Sequence, residues 1–291
     1  MKLQTVVDIK PSAWKIGYED KILMLGSCFS DEIGEQMAQR YLHVTCNPFG
    51  TLYNPLSIAQ AINYKSEIRN QKLPLVEYDG LWHSMAHHGS FSRPTREEAE
   101  QAVRSSIETM QHALAEATVV IVTFGTAWVY EWNTEHRIQN TDPITIVGNC
   151  HKLPAECFMR RRLSVEEIVA AWKPILEQYQ DKHWLFTVSP IRHIKDGLHE
   201  NQLSKATLLQ AVDKLTANSQ KPTVEYFPSY EIVLDELRDY RFYADDLVHP
   251  SSMAVNYIWE RFVDTFCTPQ TRNELVLQHK RWQFDHHRPL H

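Results

Sequence analysis

Short apolar runs alternate along the chain with segments whose apolar residues recur at helical spacing. The clearest run, residues 118–124, is apolar at consecutive positions, which is typical of a central parallel strand covered on both faces. Within residues 31–42, Ile33, Met37 and Tyr41 recur every fourth position, which indicates a helix with one buried face. The pattern predicts strands at residues 21–25, 43–46, 118–124, 183–188 and 223–227.

Helices are predicted between and after these strands. They are expected at residues 31–42, 55–64, 95–117, 164–179, 202–217, 228–237 and 252–266. Because strands and helices alternate, the chain predicts an α/β fold with a mostly parallel, five-stranded sheet covered on both faces. In such folds the binding site lies beyond the carboxyl ends of the strands.

Two insertions interrupt this alternation. Residues 66–94 are irregular and rich in aromatic residues and histidines, and residues 129–163 form a second long insertion. Long irregular stretches inside a domain are often functional, so both are expected to form pocket walls. We expect a single domain over residues 1–291, with its core at about 20–266 and a tail at 268–291 that has no clear role.

Composition and charge disfavour several function classes. The formal net charge is −6 without a long basic run, which disfavours nucleic-acid binding. No apolar stretch approaches the roughly 18 residues of a membrane span, and the first residues lack the apolar core of a signal peptide. The absence of a Cys-x-x-Cys pair favours reduced thiols and a cytoplasmic location. The cysteines are Cys28, Cys46, Cys150, Cys157 and Cys267.

The first strand leads into a tight turn, Gly26-Ser27-Cys28, and then into a helix. A serine there would lie at the carboxyl edge of the sheet, where the helix dipole and free N–H groups stabilise developing negative charge. The same position suits a helix-capping residue. A helix N-terminus also lowers the pKa of a thiol, so Cys28 is either a second candidate nucleophile or a packed bystander.

A second candidate element is Asp246-x-x-His249, just before the last predicted helix. A serine hydroxyl is a poor nucleophile until an imidazole takes its proton, and a carboxylate must fix the tautomer of that imidazole. A spacing of three residues within one turn can place Asp246 against Nδ1 of His249, with the other ring nitrogen directed to the serine. The alternative is a capping aspartate beside a surface histidine.

Six stretches of the chain resemble the GSCFA-domain family. The first is Gly26-Ser27-Cys28-Phe29-Ser30, in which Ser30 replaces the usual alanine, and the others are residues 47–55, 123–127, 149–152, 188–193 and 243–250. The family resembles the SGNH/GDSL hydrolases. That resemblance implies a three-layer, flavodoxin-like α/β/α fold. It also implies a serine esterase, a deacetylase included, or an acyltransferase, which needs no metal or organic cofactor.

The resemblance also implies a role for each site residue. Ser27 would be the nucleophile that forms an acyl-serine intermediate, His249 the general base and Asp246 its orienting acid. The oxyanion hole of these hydrolases uses the serine N–H, a glycine after the second strand and an asparagine after the third. Gly50 matches the glycine, but Thr126 follows the third strand and no asparagine is present there. Thr126, a backbone N–H or another loop would supply that donor, and the departure leaves open a weakly active or inactive ligand- or carbohydrate-binding protein.

Further candidates lie in neighbouring loops. His88 is a candidate for the wall of the substrate pocket. Arg192 and His193 follow a strand end, where they would bind a substrate carboxylate or phosphate or form structural contacts. His83 and His87 are four residues apart, but no carboxylate or cysteine is close in sequence, which disfavours a metal site. The expected partner is a small-molecule or glycan acyl ester, with no nucleic acid or membrane.

Overall fold

The computed structural model of the chain describes residues 4–64, 73–133, 146–217 and 223–286. Its strands, in chain order, are β1 (Lys21–Gly26), β2 (His43–Cys46), β3 (Leu75–Tyr78), β4 (Leu81–Ser84), β5 (Val119–Phe124), β6 (Trp128–Trp132), β7 (Ile146–Val147), β8 (Phe158–Arg162), β9 (His183–Val188) and β10 (Val224–Phe227). Five of them form a parallel sheet in the order β10-β9-β5-β1-β2. This is the strand order of flavodoxin-like folds.

Helices cover both faces of that sheet. They are α1 (Cys28–Ala38), α2 (Pro55–Ile62), α3 (Arg96–Glu116), α4 (Val165–Gln178), α5 (Leu198–Ala217), α6 (Ser229–Glu231), α7 (Ser252–Phe266) and α8 (Pro269–Asp285). α6 continues into a π-helical segment, Ile232–Leu237. The predicted three-layer α/β/α fold is therefore confirmed. Among the helices of the described ranges, none is long and apolar enough to cross a membrane.

Successive side chains of the central strands enter two different cores. Leu23 of β1 and Val120 of β5 pack in the core that contains the buried faces of α2, α3, α4 and α5. Their neighbours Ile22 and Ile121 pack in the opposite core, against α1 and α7. Every residue of β5 is buried. Because each strand must fill two apolar layers, it is apolar at consecutive positions, which made the strands easy to predict.

Both insertions contain antiparallel strands where the sequence predicted irregular chain. β3 and β4 form a hairpin, and β6 forms a sheet with β7 and β8. The prediction was wrong here because these strands have two to five residues each, too few to show alternation. Residues 66–72 and 134–145 of the predicted insertions lie outside the described residues.

The C-terminal tail is the other correction. The sequence assigned no role to it, but residues 269–285 form α8, whose N-cap Thr268 accepts a hydrogen bond from the N–H of Thr271 at 3.1 Å. Only Thr271 and Leu275 of this helix are buried, so it has almost no apolar face to reveal it in the sequence. Helix starts also differ: α1 begins at Cys28 and α5 at Leu198, both earlier than predicted.

Candidate active site

The turn between β1 and α1 fixes the position of Ser27 at the carboxyl edge of the sheet. Gly26 has a φ of +138°, and a Cβ there would lie 2.1 Å from the carbonyl oxygen of Thr123, so the turn requires glycine. Ser27 is 1% exposed and is the N-cap residue of α1, but its side chain makes no capping hydrogen bond. Among the described residues its Oγ has no hydrogen-bond partner, so the expected Ser27–His249 hydrogen bond is not present.

Cys28, the next residue, faces the histidine instead. Its Sγ lies 3.8 Å from Nε2 of His249, within the range of a sulfur hydrogen bond. Burial and the neighbouring Asp31 raise the pKa of the Cys28 thiol, whereas the backbone N–H groups of Cys28 and Phe29 in the first turn of α1 lower it. The resting thiol is therefore protonated at neutral pH, and a nearby base must remove its proton during any attack.

Asp246 and His249 form the predicted carboxylate–imidazole pair. Oδ2 of Asp246 lies 2.6 Å from Nδ1 of His249. Oδ1 accepts hydrogen bonds from the backbone N–H groups of Val248 and His249, at 2.9 and 3.0 Å. These contacts lower the pKa of the Asp246 carboxyl to about 2. A permanently ionised Asp246 favours the tautomer with the proton on Nδ1, which leaves the Nε2 lone pair directed at the sulfur.

Arg192 holds the loop that carries this pair. Its Nη1 donates to the carbonyl oxygen of Leu247 at 3.0 Å, and its backbone N–H donates to that of Val248 at 3.2 Å. The guanidinium also lies 5.3 Å from the ring centroid of Tyr243. Leu247 has a φ of +58°, a left-handed conformation that closes the turn between Asp246 and His249. In this structure Arg192 makes structural contacts; its predicted role in substrate binding stays a prediction.

The predicted oxyanion donors are already hydrogen-bonded within the protein. The N–H of Gly50 donates to the carbonyl oxygen of Asn47 at 2.7 Å, and that of Thr126 donates to Tyr53 at 2.9 Å. Oγ1 of Thr126 is 3.1 Å from Oγ of Ser204. The roles proposed for Gly50 and Thr126 stay predictions. The N-terminal turn of α1 offers an alternative, because the first N–H groups of a helix have no partner within the helix.

His193 lies behind the pair, in the loop after β9. Its ring packs edge-on against Tyr53, with centroids 6.1 Å apart, and its backbone N–H donates to Oδ1 of Asn201 at 2.9 Å. Burial, followed by the charge of Lys205, lowers the pKa of His193 to about 3, so the ring is neutral at physiological pH. Its Nε2 has no partner among the described residues. A direct role for His193 in substrate binding stays a prediction.

The other predicted histidines form a cluster among the insertions. Nδ1 of His83 lies 2.7 Å from Oγ of Ser92, and Nδ1 of His87 lies 2.8 Å from Oγ of Ser84. Within the described ranges there is no group of three or more His, Cys, Asp or Glu side chains arranged to hold a metal ion. His88 lies against Gly50, since a Cβ on that glycine would be 2.4 Å from the His88 Cβ. The role of His88 as a pocket wall stays a prediction.

A groove of about 480 Å³ begins beside the Asp246–His249 loop. Arg192, which contacts that loop, lines the groove together with Tyr230, Tyr240 and Tyr243. Within the described part of the chain, its lining comes from the segments after β9 and β10, and neither insertion contributes a residue. The expectation that the insertions form walls of the substrate pocket stays a prediction.

Sequence reasoning missed Lys205, a buried residue of α5 close to these groups. A signal was present, because the buried residues of α5 follow a helical period that begins with polar side chains. They are Asn201, Ser204, Lys205, Leu208, Ala211, Val212 and Leu215. Extending the apolar stripe of this helix backwards by one turn from Leu208 places Lys205 on the covered face, next to the carboxyl ends of the strands.

A family of known proteins matches most of the chain, including the candidate site. The family model described as "GSCFA family" matches residues 21–262, which include β1, the turn between β1 and α1, and the Asp246–His249 loop. No curated protein matches the chain.

Proposed function

The chain belongs to the GSCFA family, and we propose that it is an acyl-ester hydrolase or acyltransferase that works through a covalent acyl-enzyme. The observation that carries the proposal is the 3.8 Å approach of Cys28 Sγ to Nε2 of His249, whose other ring nitrogen is paired with Asp246. A nucleophile, a base and an orienting carboxylate in series are what acyl transfer requires.

The geometry favours Cys28 over Ser27 as the nucleophile. His249 accepts the thiol proton on Nε2 while the sulfur attacks the acyl carbonyl carbon, and the carbonyl becomes an oxyanion. In this proposal the N–H groups at the start of α1, which have no partner within the helix, stabilise this charge. When the oxyanion collapses, the C–O bond to the alcohol breaks and His249 returns the proton to the departing oxygen. The product of this half-reaction is a thioester on Cys28.

The second half-reaction regenerates the thiol. Water, or a hydroxyl of an acceptor molecule, gives a proton to Nε2 of His249 and attacks the thioester carbon. The C–S bond breaks, and the sulfur takes back the proton. The groove beside Arg192 and Tyr243 has room for the part of the substrate that does not react. A cytoplasmic location, which would keep a catalytic thiol reduced, is supported by the five cysteines, all described and all free.

Ser27 is the second candidate nucleophile. Its Oγ is buried and unpartnered at the same turn, and its side chain is not used to cap α1. In this alternative the reaction is the same, but the acyl group is carried as an ester on Ser27 and Cys28 is a neighbour. A small rotation of the turn on substrate binding would have to bring Oγ into hydrogen-bond reach of His249.

Steady-state hydrolysis of a short p-nitrophenyl ester tests the proposal. We expect Cys28→Ala to abolish turnover, with Ser27→Ala retaining most of it and Cys150→Ala, a half-buried thiol elsewhere, unchanged. The reverse order, with activity lost only in Ser27→Ala, would favour the serine alternative. Absence of turnover in the wild-type protein with any ester tried, together with saturable binding, would favour a ligand-binding protein instead.

A further inference from the structure

The groove beside the Asp246–His249 loop is lined by two side-chain amides whose oxygen atoms are already hydrogen-bonded within the protein. Oδ1 of Asn201 accepts the backbone N–H of His193 at 2.9 Å, and Oε1 of Gln202 accepts the hydroxyl of Tyr230 at 2.6 Å. Within the described residues, Nδ2 of Asn201 and Nε2 of Gln202 have no partner. Asn201 is only 3% exposed, so its free N–H group belongs to the fixed wall of the groove. Both amides therefore offer hydrogen-bond donors to a ligand.

Two arginines in the same lining have no carboxylate partner. Nη1 of Arg192 donates to the carbonyl oxygen of Leu247 at 3.0 Å, which leaves its Nε and Nη2 donors free among the described residues. In the same part of the chain, the side chain of Arg238 forms no hydrogen bond and no ion pair. Most other arginines of the described ranges pair with Asp or Glu. The groove thus has two guanidinium groups whose donors are available for a planar or tetrahedral anion.

Carboxylates in the lining offset only part of this positive charge. Oδ2 of Asp239 pairs with Nη2 of Arg241 at 2.9 Å, and its Oδ1 accepts the backbone N–H of Arg241 at 3.0 Å. Asp235, which is exposed, is the other carboxylate of the lining. The positive end of the α5 dipole acts in the same direction as the arginines, since Leu198, the first residue of that helix, also lines the groove. The balance of charge in the groove therefore favours an anion.

The rest of the lining suits the apolar part of a small organic molecule. Val233 and Leu234 of the π-helical segment line the groove together with the rings of Tyr240 and Tyr243. The guanidinium of Arg192 lies 5.8 Å from the ring centroid of Tyr240 and 5.3 Å from that of Tyr243, so the two rings restrict the orientation of the cation. Tyr240 is 65% exposed, which leaves much of its surface open to a ligand. Apolar and aromatic walls with a few fixed polar groups are typical of small-molecule sites.

We propose that this groove binds the anionic group of a small organic ligand, a carboxylate or a phosphate, through its two free arginines and two free amides. Tyr243 in its wall pairs with Pro250 in an isolated β-bridge, and Pro250 directly follows His249. The anion is therefore bound beside the loop that carries the proposed base. That the anion belongs to the non-reacting part of the acyl-ester substrate rests on the proposed function, whereas anion binding itself does not.

The test measures equilibrium binding of three small probes by ligand-observed NMR titration at low ionic strength. The probes are phenylacetate, phenyl phosphate and the neutral phenylacetamide, which share a phenyl ring and differ in charge. We expect at least one of the two anions to bind about tenfold more tightly than phenylacetamide, because guanidinium groups form charge-assisted hydrogen bonds to an oxyanion. Tighter binding of phenylacetate would identify a carboxylate ligand, and tighter binding of phenyl phosphate a phosphate ligand.

Isosteric variants then locate the binding site. Gln202→Glu keeps the oxygen that accepts from Tyr230 but replaces the free N–H donors with a charged oxygen, and Asn201→Asp does the same beside His193. We expect each to weaken anion binding about tenfold, and Asp235→Asn to strengthen it about threefold. Gln101→Glu is the matched control, because it adds the same charge at an exposed position of α3, a helix that packs against β1 and β4. Its affinity for the anions should equal that of the wild-type protein.

Equal binding of phenylacetamide and the anions, or no saturable binding of either anion, would overturn the inference. So would unchanged affinity in Gln202→Glu protein, an exposed substitution whose folding is checked by circular dichroism, or an equal loss in Gln101→Glu. Binding requires no turnover, so the result is independent of the ester assay. A wild-type protein that binds the anions but hydrolyses no ester would contradict the proposed function alone, and an active esterase that binds neither anion would contradict the groove assignment alone.

Discussion

Sγ of Cys28 and Nε2 of His249 lie 3.8 Å apart, although 221 positions separate them in the chain. The first belongs to the turn after the central strand β1, and the second to the loop before α7. The imidazole is thus placed between a thiol on one side and the carboxylate of Asp246, 2.6 Å from Nδ1, on the other. This relationship, rather than a contact with Ser27, determines the chemistry that we propose.

The orientation of His249 depends on Asp246. Asp246→Asn removes the negative charge that selects the Nδ1–H tautomer, and we expect kcat for p-nitrophenyl ester hydrolysis to fall by about 10²–10⁴-fold. KM is expected to change little, because Asp246 is not part of the groove lining. Asp264→Asn is the control, since that aspartate is exposed and pairs with Arg272 elsewhere on the surface. Equal kcat values in the two variants would show that the pair is not catalytic.

Gly26 is required by the geometry of the turn between β1 and α1. Gly26→Ala would place Cβ 2.1 Å from the carbonyl oxygen of Thr123, at a φ of +138°. We expect a loss of about 2–4 kcal/mol in the free energy of unfolding measured with urea. Gly80→Ala is the matched control, because Gly80 also has a positive φ (+72°) but no atom lies within 4 Å of the added Cβ. Its loss should be about 1 kcal/mol, and equal losses would contradict this account of the turn.

The buried histidines make stability depend on pH. Burial lowers the pKa of His87 to about 3 and that of His151 to about 4. An imidazole exposed to water in the unfolded chain has a pKa of about 6.5. Protons therefore bind the unfolded chain more readily, and the stabilisation present above pH 6.5 is lost as the pH falls towards these values. Urea unfolding between pH 7.5 and about 4.5 should show a decreasing free energy of unfolding.

His87→Gln removes one of the two titrating imidazoles, so it measures the contribution of His87 to the pH dependence of stability. The glutamine cannot be protonated, so the slope of unfolding free energy against pH should become shallower by up to about 1.4 kcal/mol per pH unit. His112→Gln, whose side chain is 74% exposed, should leave the slope as in the wild-type protein. A His87→Gln slope identical to that of the wild type would mean that the imidazole is protonated equally in both states.

The fold could be predicted from the sequence wherever burial leaves a periodic pattern. Every residue of β5 is buried, and the resulting apolar run predicted a strand at this position. α4 was recognisable from Ser164 and Glu167, which form the reciprocal capping box that their spacing predicts. α8 could not be predicted, because Leu275 is its one buried apolar residue. The insertion strands were missed because each has only two to five residues, too few to show alternation.

At the candidate site, the sequence predicted the Asp246–His249 pair but not the group that it faces. A local spacing of three residues suffices for the pair. The choice between Ser27 and Cys28 depends on where α1 begins, because successive side chains of a helix point about 100° apart. The helix was expected from residue 31 but begins at Cys28, so Ser27 becomes the buried N-cap residue and Cys28 is directed towards His249.

The position of the acyl group in the trapped intermediate tests the central claim most directly. Wild-type protein would be mixed with a short p-nitrophenyl ester, quenched in acid within the first turnover and digested, and the acylated residue located by tandem mass spectrometry. We predict a thioester on Cys28 that hydroxylamine removes at neutral pH and that is absent from Cys28→Ala and from His249→Ala. An acyl group on Ser27, or an adduct that forms equally well without His249, would contradict the account.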